Sequence, residues 1–395
     1  MSNSILTPTA VTREALRVLH QKANFIGSIN RQYDDSFAKT GAKIGENLKI
    51  RMPNQYTVTD GAVLNVQDTT ETSQTLTVSS RKHVGMNFSV QDLTMSLDDF
   101  SKRIIDPAMS VLAAAIEADA MTMALKSANA IFGSTASYSD VLAGRVKMQQ
   151  ALAPLSDRTA NLCSQDMADL VDGNKALFND QSQLAKAYRE GFMGRAAGFD
   201  FMENTLWPGF TTGSEDGAYV VNTSTGITSG SAVIAVTAGT GTLVVGDVFT
   251  IAGVYSVHPE TKASTGVLKP HVVATAYAGG AGNVTVVEAL VTSGATQNCT
   301  IVSAGASKAV VVSGTASTAY TTSLLYQKDA FTFATADLMM PKNTNWGARE
   351  VIDGISLRIV QDYDIVNDTM PCRVDILYGF KDLRPGHATR LHYTA

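Results

Sequence analysis

The region from Asn222 to Tyr320 differs in composition from the rest of the chain. Its 99 positions hold six charged residues, whereas the other 296 positions hold 61. Short β-branched runs such as Val233–Val236 and Val284–Val287 alternate there with clusters of Gly and Ser. Short apolar runs at roughly ten-residue spacing, separated by turn signals, predict a small all-β barrel or sandwich. The flanking sequence carries helical and charged hairpin patterns, so the β module is predicted to be inserted in an α+β host.

Bulk composition excludes several classes of protein. The chain has 395 residues, of which 45% are hydrophobic and 17% charged, which predicts a folded protein of about two or three domains. Its net charge of -5 argues against a protein that grips nucleic acid, because such binding needs clustered Lys and Arg. No run approaches about 18 consecutive apolar residues, so no contact with a membrane is expected. Cys163, Cys299 and Cys372 are far apart, which predicts no disulfide framework and suits a reducing cytoplasm.

A period of two appears between residues 46 and 90. Around Ile50, apolar residues alternate with Lys49 and Arg51, and a second alternating run begins at Val84, with an Asp-Gly turn signal between the runs. This pattern predicts a long two-stranded hairpin. An isolated hairpin is marginally stable in water, and no neighbouring segment has the pattern of a cover, so we expect another subunit to cover it. The candidate intersubunit residues are Lys49, Arg51, Asp60, Gly61, Arg81 and Lys82. For the basic residues, a solvated face is the alternative.

Two helices are predicted in the first third of the chain. Apolar residues at helical spacing from Val11 to Leu19 indicate a short N-terminal helix. Asp106 and Pro107 form a helix-start signal, and the helical pattern then continues from Pro107 to Phe132. At 1.5 Å per residue that helix would be roughly 39 Å long, which is typical of a structural beam. Mixed α and β patterns follow.

No constellation of residues in the sequence indicates catalysis. The glycine-rich run from Gly191 to Gly198 resembles a phosphate loop, but it lacks the Lys-Ser/Thr ending and is better interpreted as a helix end and a turn. Asp362, Asp364 and Asp368 lack the spacing of a calcium loop, so a solvated turn is the better interpretation. The histidines show neither metal-ligand nor triad spacing. We therefore expect no catalytic residue, no metal and no cofactor, and a protein that contacts copies of itself.

Several segments, in order, resemble the major capsid proteins of tailed phages with the Hong Kong 97-type fold. The run Glu46–Val90 followed by the helix Pro107–Phe132 is similar to their extended loop and spine helix. The segments Ala197–Asp200, Tyr326–Phe331 and Tyr378–Pro385 are similar to parts of their axial and peripheral domains. The resemblance covers nearly the whole chain and implies that fold, with an N-terminal arm, an extended hairpin loop and a spine helix.

Within that fold, Gly246–Val254 is similar to a segment of the P-twenty-two-like podoviral coat proteins. In that group the insertion is a β-barrel that projects from the axial domain and is implicated in folding and in contacts between neighbours. The resemblance implies these divisions: N-terminal arm 1–45, extended loop 46–90, peripheral domain with spine helix 91–139, axial domain 140–224, inserted β domain 225–318, and a return through the axial and peripheral domains 319–395.

The insertion has few charges with which to bind a neighbouring capsomer. We expect its contacts to depend on backbone and small side chains more than on ion pairs. The charged candidates are Asp247, Glu260, Lys262, Lys269, Glu288 and Lys308.

The resemblance also implies a function and its partners. The expected protein is a structural capsid subunit that assembles as pentamers and hexamers into an icosahedral shell around double-stranded DNA, without sequence-specific binding. The early start of the extended loop implies a separate scaffolding protein, and the family also implies a portal. We expect assembly in the host cytoplasm and a final location in the virion. An encapsulin-like compartment is the main alternative, while a tail or adhesion protein and a soluble enzyme fit fewer segments.

Overall fold

The computed structural model describes residues 8–34, 47–64, 66–68, 71–88, 104–174, 194–215, 217–342, 346–363 and 370–394. The sequence signals at 96–99, 181–190 and 364–368 lie outside these residues. The described chain has α-helices and strands in the proportions of an α+β protein, as the sequence predicts.

The elements are numbered here in chain order. The α-helices are α1 (Pro8–Lys22), α2 (Asn24–Ser28), α3 (Asp106–Met121), α4 (Tyr138–Gln150) and α5 (Ser164–Asn174). The strands of the first half are β1 (Asn30–Asp34), β2 (Asn47–Arg51), β3 (Ser73–Thr77), β4 (Ser80–Phe88), β5 (Asn129–Gly133), β6 (Arg158–Leu162), β7 (Arg195–Ala196), β8 (Phe199–Glu203), β9 (Phe210–Thr211), β10 (Val220–Asn222) and β11 (Ser231–Ala238). Those of the second half are β12 (Val248–Val257), β13 (Ser264–Val272), β14 (Gly282–Leu290), β15 (Cys299–Ile301), β16 (Ser307–Val312), β17 (Ala319–Gln327), β18 (Phe331–Ala336), β19 (Trp346–Ile352), β20 (Ile355–Gln361), β21 (Met370–Asp382) and β22 (Ala388–Thr394).

The chain forms two compact units. Unit 1 contains Met1–Arg51, Ser73–Met121 and Phe331–Leu383, and unit 2 contains Met52–Thr72, Thr122–Ala330 and Arg384–Ala395. Each unit is thus assembled from segments that are distant in sequence. This arrangement depends on long-range strand pairing, which no local sequence pattern specifies.

Unit 1 is built on a six-stranded sheet. Its strand order is β1-β18-β21-β20-β19, and β4 also pairs with β21. Strand β1 is parallel to β18, whereas the other pairs are antiparallel. Helix α1 contacts β19, β20 and α3, and it buries Val11, Leu16 and Leu19. The predicted N-terminal helix is therefore present and belongs to the core of this unit.

Helix α3 is shorter than the sequence predicts. Its predicted apolar face is buried, including Met109, Leu112 and Ile116. The α-helix ends at Met121, however, and a 3-10 turn leads to β5. The extension of the helix to Phe132 is therefore wrong, because the run around Ile131 is recruited as an edge strand beside β22. Tertiary pairing overrides the local helical pattern there.

The stretch Asp106–Lys126 is long and apolar enough to span a membrane by composition, with a mean hydropathy of 1.5. Half of its most apolar window is buried inside the fold. A core helix of a globular protein meets the same criterion, and α3 occupies such a position in unit 1 against β4 and α1.

The predicted long hairpin also pairs differently from the expectation. Strand β2 pairs with β3, from Asn47 opposite Thr77 to Arg51 opposite Ser73, whereas β4 joins the six-stranded sheet through β21. The base of the hairpin is covered by its own chain, because Leu76 packs with Leu377. The expectation that only another subunit could cover it is therefore wrong for the base. A period of two identifies a strand but not its partner.

Unit 2 contains the charge-poor β module as a barrel. The strand order is β13-β12-β16-β10-β11-β14, and a bridge between Val273 and Val286 joins the two ends of this order. The interior holds side chains such as Ile234, Ile251 and Val284, all at most 1% exposed. The barrel strands begin at β10, before the predicted boundary at 225, because β10 pairs with both β11 and β16.

The second sheet of unit 2, called the mixed sheet here, has the order β5-β22-β17-β6-β8-β7, and β9 pairs with β17. Helices α4 and α5 provide Met148 and Leu170 to a core that includes Leu325 and Leu391 of this sheet. Because side chains alternate along a strand, the neighbours of Leu391 in β22, Arg390 and His392, lie on the opposite face.

Substitution of Gly379 is expected to destabilise unit 1. A Cβ at Gly379 would lie 2.3 Å from the carbonyl oxygen of Thr77 and 2.9 Å from Cα of Val78, so Gly379→Ala forces backbone atoms apart. Overpacking of this kind costs about 1–3 kcal/mol. Urea unfolding of the purified subunit measures the loss. Gly85→Ala in the adjacent strand β4 is the matched control, since a Cβ there meets no atom within 4 Å. Equal stability of the two variants would contradict the proposed contact.

Candidate assembly interface

Within the extended loop predicted at 46–90, residues 52–72 join β2 to β3. The name extended loop is used for residues 52–72 from this point on. The described residues of this loop form neither helix nor strand. Val58, Val63, Leu64 and Val66 are between 76% and 94% exposed, and Tyr56 is 55% exposed. A soluble monomer rarely exposes a group of large apolar side chains on one segment, and such groups mark interaction sites. The extended loop is therefore the strongest candidate for an interface in the described chain.

A small set of hydrogen bonds shapes this loop. The amide of Met52 donates to the carbonyl of Thr72 at 2.9 Å, which continues the pairing of β2 and β3 into the loop. Farther out, the backbone N–H of Thr57 donates to Oε1 of Gln67 at 2.9 Å, and Nε2 of Gln67 donates to the carbonyl of Thr57. One glutamine side chain thus cross-links the two sides of the loop. It replaces the backbone ladder that the sequence pattern predicted.

The structure places four of the six candidate residues on the hairpin or on the loop. Lys49 and Arg51 lie on the exposed face of β2, in line with the predicted alternation. Asp60 and Gly61 are exposed in the extended loop, and Gly61 has a φ of 114°, a left-handed conformation that Gly adopts without strain. Asp60 and Gly61 lie on the same loop as the exposed apolar residues.

The other two candidates have partners within unit 1. Nη2 of Arg81 lies 3.0 Å from Oδ2 of Asp375. Nζ of Lys82 lies 2.7 Å from Oδ2 of Asp119, and it also donates to the carbonyl of Ala115 in α3 at 3.0 Å. Because adjacent residues of a strand point to opposite faces, Arg81 and Lys82 lie on different sides of the six-stranded sheet.

A family model described as "P22 coat protein - gene protein 5" matches residues 37–389. The chain belongs to the P22 coat protein family. This coat protein is a tailed-phage major capsid protein, which confirms the function that the resemblance implied and favours it over the encapsulin-like compartment. None of the curated proteins compared with the sequence matches it.

Solved phage capsids are among the structures to which the coat protein is similar. The capsid of cyanophage P-SCSP1u is 10% identical over 93% of this chain and 86% of that chain, with a TM-score of 0.46. The mature capsid of bacteriophage PhiM1 is 12% identical over 92% and 86%, with a TM-score of 0.45. The capsid of Ralstonia phage GP4 is 8% identical over 93% and 87%, with a TM-score of 0.46.

The coat protein also contains an arginine cluster that the sequence did not reveal. Asp375 in β21 has a fully buried side chain. Its Oδ2 accepts hydrogen bonds from Nη2 of Arg358 at 2.5 Å and from Nη2 of Arg81 at 3.0 Å, and its Oδ1 accepts from Nε of Arg373 at 2.6 Å. Arg358 is opposite Asp375 in the ladder of β20 and β21. Three guanidinium groups from three strands therefore meet at one carboxylate.

Burial alone would raise the pKa of Asp375, but the hydrogen bonds from Arg358, Arg373 and Arg81 outweigh burial and hold the pKa below its ordinary value. Charge-assisted hydrogen bonds to guanidinium groups are the strongest class in proteins. No sequence signal identifies this cluster, because Arg81 is 294 positions from Asp375 and Arg358 reaches it only through the pairing of β20 with β21.

The insertion uses several of its few charges internally. Nζ of Lys269 lies 2.9 Å from Oε2 of Glu288, and Asp247 is 1% exposed. Of the six predicted candidates for contacts between capsomers, these three thus have internal positions or partners. Glu260, Lys262 and Lys308 remain at least partly exposed.

No other chemistry emerges from the residues that the structure describes. Within them, no group of three His, Cys, Asp or Glu side chains is placed to hold a metal ion. The run that resembled a phosphate loop contributes Ala197 and Gly198 to the turn of the β7–β8 hairpin. Cys163, Cys299 and Cys372 are free thiols.

Removal of the Asp375 charge is expected to destabilise unit 1 strongly. Asp375→Asn leaves three guanidinium groups around a neutral side chain, and breaking a buried ion pair costs about 3–5 kcal/mol. Because the pKa of Asp375 is depressed, its contribution is present above the unfolded pKa of about 4 and is lost as the pH falls through the folded pKa. Denaturant unfolding at neutral and acidic pH measures both effects, and the difference between wild type and variant should shrink in acid.

The matched control is Asp200→Asn. Asp200 lies 3.7 Å from Nε of Arg195, and both side chains are more than half exposed, so its removal should cost less than about 1 kcal/mol. A loss at Asp375 no larger than this control would contradict the assignment of the cluster as a stabilising element.

Proposed function

We propose that the coat protein assembles as pentamers and hexamers into an icosahedral shell in which the extended loop of each subunit is buried against a neighbouring copy. The observation that carries this proposal is the exposure of Val58, Val63, Leu64 and Val66 on one segment. The proposed role is structural and requires no covalent chemistry.

The energy of such a contact comes chiefly from the apolar residues. Burial of a Val or Leu side chain contributes roughly 1.5–3 kcal/mol, and part of this gain is offset by the loss of loop freedom. Each single contact is therefore modest. In a closed shell the same contact recurs in every subunit, so that many modest contacts together stabilise the assembly.

The form of the loop suits a subunit that occupies several related environments. Closed shells require one chain to make similar contacts at slightly different angles. Residues 53–64 belong to no sheet ladder, so small changes of their backbone break no strand pairing. The base of the same hairpin is held by Leu76 and Val78, which are fully buried in unit 1. The loop, which lies outside the strand pairing, would adjust its contact with a neighbour while the buried base of the hairpin stays in place. The core would then need no repacking.

The charged candidates receive different proposed roles. Lys49, Arg51 and Asp60 would orient the loop against charges of the neighbour, and Gly61 would permit the backbone turn at its tip. Arg81, with 38% of its side chain exposed, would serve both Asp375 and a neighbour. Lys82 would mainly hold α3 against β4 through Asp119.

The remaining partners follow from the family and from the charge of the chain. We propose that the shell encloses double-stranded DNA without sequence-specific binding, because the net charge of -5 gives little attraction to phosphates. Retention of duplex DNA by purified subunits at physiological salt, measured by filter binding, would contradict this. A separate scaffolding protein and a portal would act during assembly in the host cytoplasm.

Polar substitution of the apolar loop is expected to prevent assembly while leaving the subunit folded. Val63→Asn together with Leu64→Asn removes apolar surface that is exposed in the subunit, so its urea unfolding should change by less than about 0.5 kcal/mol. The yield of particles, measured by sedimentation and negative-stain microscopy, should fall at least tenfold. Val311→Asn is the control, because Val311 is 59% exposed on the barrel and lies outside the loop. Normal particle yield from the double variant would contradict the proposal.

A second experiment tests the charged residues at the base of the hairpin. Lys49→Glu with Arg51→Glu reverses two exposed charges, which should lower particle yield more than subunit stability. Lys328→Glu with Lys342→Glu, at two exposed positions outside the hairpin, controls for the change in net charge. Equal yields from the two variants of reversed charge would remove Lys49 and Arg51 from the proposed interface.

A further inference from the structure

The mixed sheet contains a buried arginine whose terminal nitrogens no described protein atom satisfies. Arg390 in β22 is fully buried. Its Nε donates to the carbonyl of Ser127 at 3.0 Å, but within the described chain neither Nη1 nor Nη2 has a hydrogen-bond partner. The guanidinium carbon lies 5.9 Å from the ring centre of Phe210. This cation–π contact offsets only part of the cost of removing a full charge from water.

A buried carboxylate of the barrel has an oxygen that accepts no hydrogen bond from the described residues. Asp247 precedes β12, and its Oδ2 accepts from the amides of Val244 at 2.7 Å and Gly213 at 3.2 Å. Its Oδ1 is buried and receives no hydrogen bond from the described residues. Gly213 lies on the segment that enters the barrel, so Asp247 fastens that segment to the turn before β12.

The two charges interact without touching. Burial lowers the pKa of Arg390 to about 9, and the charge of Asp247 opposes this shift. Burial raises the pKa of Asp247, whereas its two backbone hydrogen bonds and the charge of Arg390 lower it. The two residues nevertheless form no ion pair in the described chain, because no nitrogen of Arg390 lies within 4.0 Å of an oxygen of Asp247. The separation thus exceeds direct contact but remains within electrostatic range.

Polar and aromatic side chains surround the two charged groups. The ring of His392 lies 4.9 Å from Phe210 and 4.9 Å from Phe132, and its Nε2 is also buried without a partner in the described chain. Burial and the charge of Arg390 lower the pKa of His392 to about 3, so this imidazole is neutral. Next to Asp247, a Cβ at Gly246 would lie 3.2 Å from the ring of Phe210. The barrel and the mixed sheet therefore meet closely here.

We propose that an internal water site bridges Arg390 of the mixed sheet to Asp247 of the inserted barrel. A buried water typically makes two to four hydrogen bonds to polar groups that have no other partner, and this site offers guanidinium donors and a carboxylate acceptor. Bound water is preferred to an anion, because the carboxylate of Asp247 would repel one. The bridged pair fixes the orientation of the barrel on its host sheet through one charged contact in an otherwise apolar and aromatic junction.

High-resolution electron microscopy of the assembled wild-type particle tests the ligand directly. The site predicts density for one or two waters, each about 3 Å from a terminal nitrogen of Arg390 or from Oδ1 of Asp247. A direct ion pair, a bound anion or an empty gap would overturn the proposal. This readout does not depend on the folding of any variant, nor on which surfaces the subunits use to assemble.

A double-mutant cycle on the unassembled subunit tests the coupling. Arg390→Met and Asp247→Asn each remove one charge, and each should raise the unfolding equilibrium constant by on the order of 100-fold, since the other charge stays buried and unpaired. The double variant should unfold at least tenfold less readily than the product of the single effects predicts. Independent effects that simply multiply would overturn the coupling.

Hydrogen exchange separates this contact from general destabilisation. In Arg390→Met, the amides of Val244 and Gly213 should exchange at least tenfold faster, because Asp247 loses the partner that orients it. The amide of Ile251 inside the barrel should accelerate no more than the change in the unfolding equilibrium of the whole subunit requires. As a matched control, Lys269→Met removes a cation whose partner Glu288 is half exposed, and it should leave Val244 and Gly213 unchanged. Equal acceleration in both variants, or none in Arg390→Met, would contradict the proposed role.

Discussion

The pairing of β21 is the constraint on which unit 1 depends. This strand pairs with β4, with β18 and with β20, so it joins segments that are separated by up to about 300 residues. Asp375 stands where these ladders converge and binds an arginine from each of two neighbouring strands and one from its own. The result is a rigid platform. The hairpin of β2 and β3 packs against β21, because Leu76 lies beside Leu377.

In the proposed assembly, one hairpin combines a base that is packed within the subunit with a loop whose apolar side chains are exposed. Leu76 and Val78 are buried within the subunit, while Val63 and Leu64 are almost fully exposed. The proposed burial of this exposed group against other copies becomes more favourable as the concentration of subunits rises.

Sequence patterns predicted the elements of this coat protein better than their partners. Helix α1, the charge-poor barrel and the exposed positions of Lys49 and Arg51 follow from local periodicity and composition. The errors all concern pairing across long distances. The pattern near Val84 indicated a strand, but it could not show that β4 pairs with β21, and the helical pattern before Phe132 gave no sign that β22 would recruit that residue. The arginine cluster was missed for the same reason.

The low charge of the insertion makes the buried charge of Asp247, at the junction with the mixed sheet, stand out. In an apolar barrel, each buried charge must be satisfied locally, since a low dielectric makes an unpaired group costly. Asp247 is retained there although an uncharged residue would avoid that cost. A charge that is buried at a junction restricts the two bodies to the one arrangement in which donors and acceptors meet, whereas apolar contacts tolerate sliding. The other buried charge among the described barrel residues, Lys269, already has a partner in Glu288.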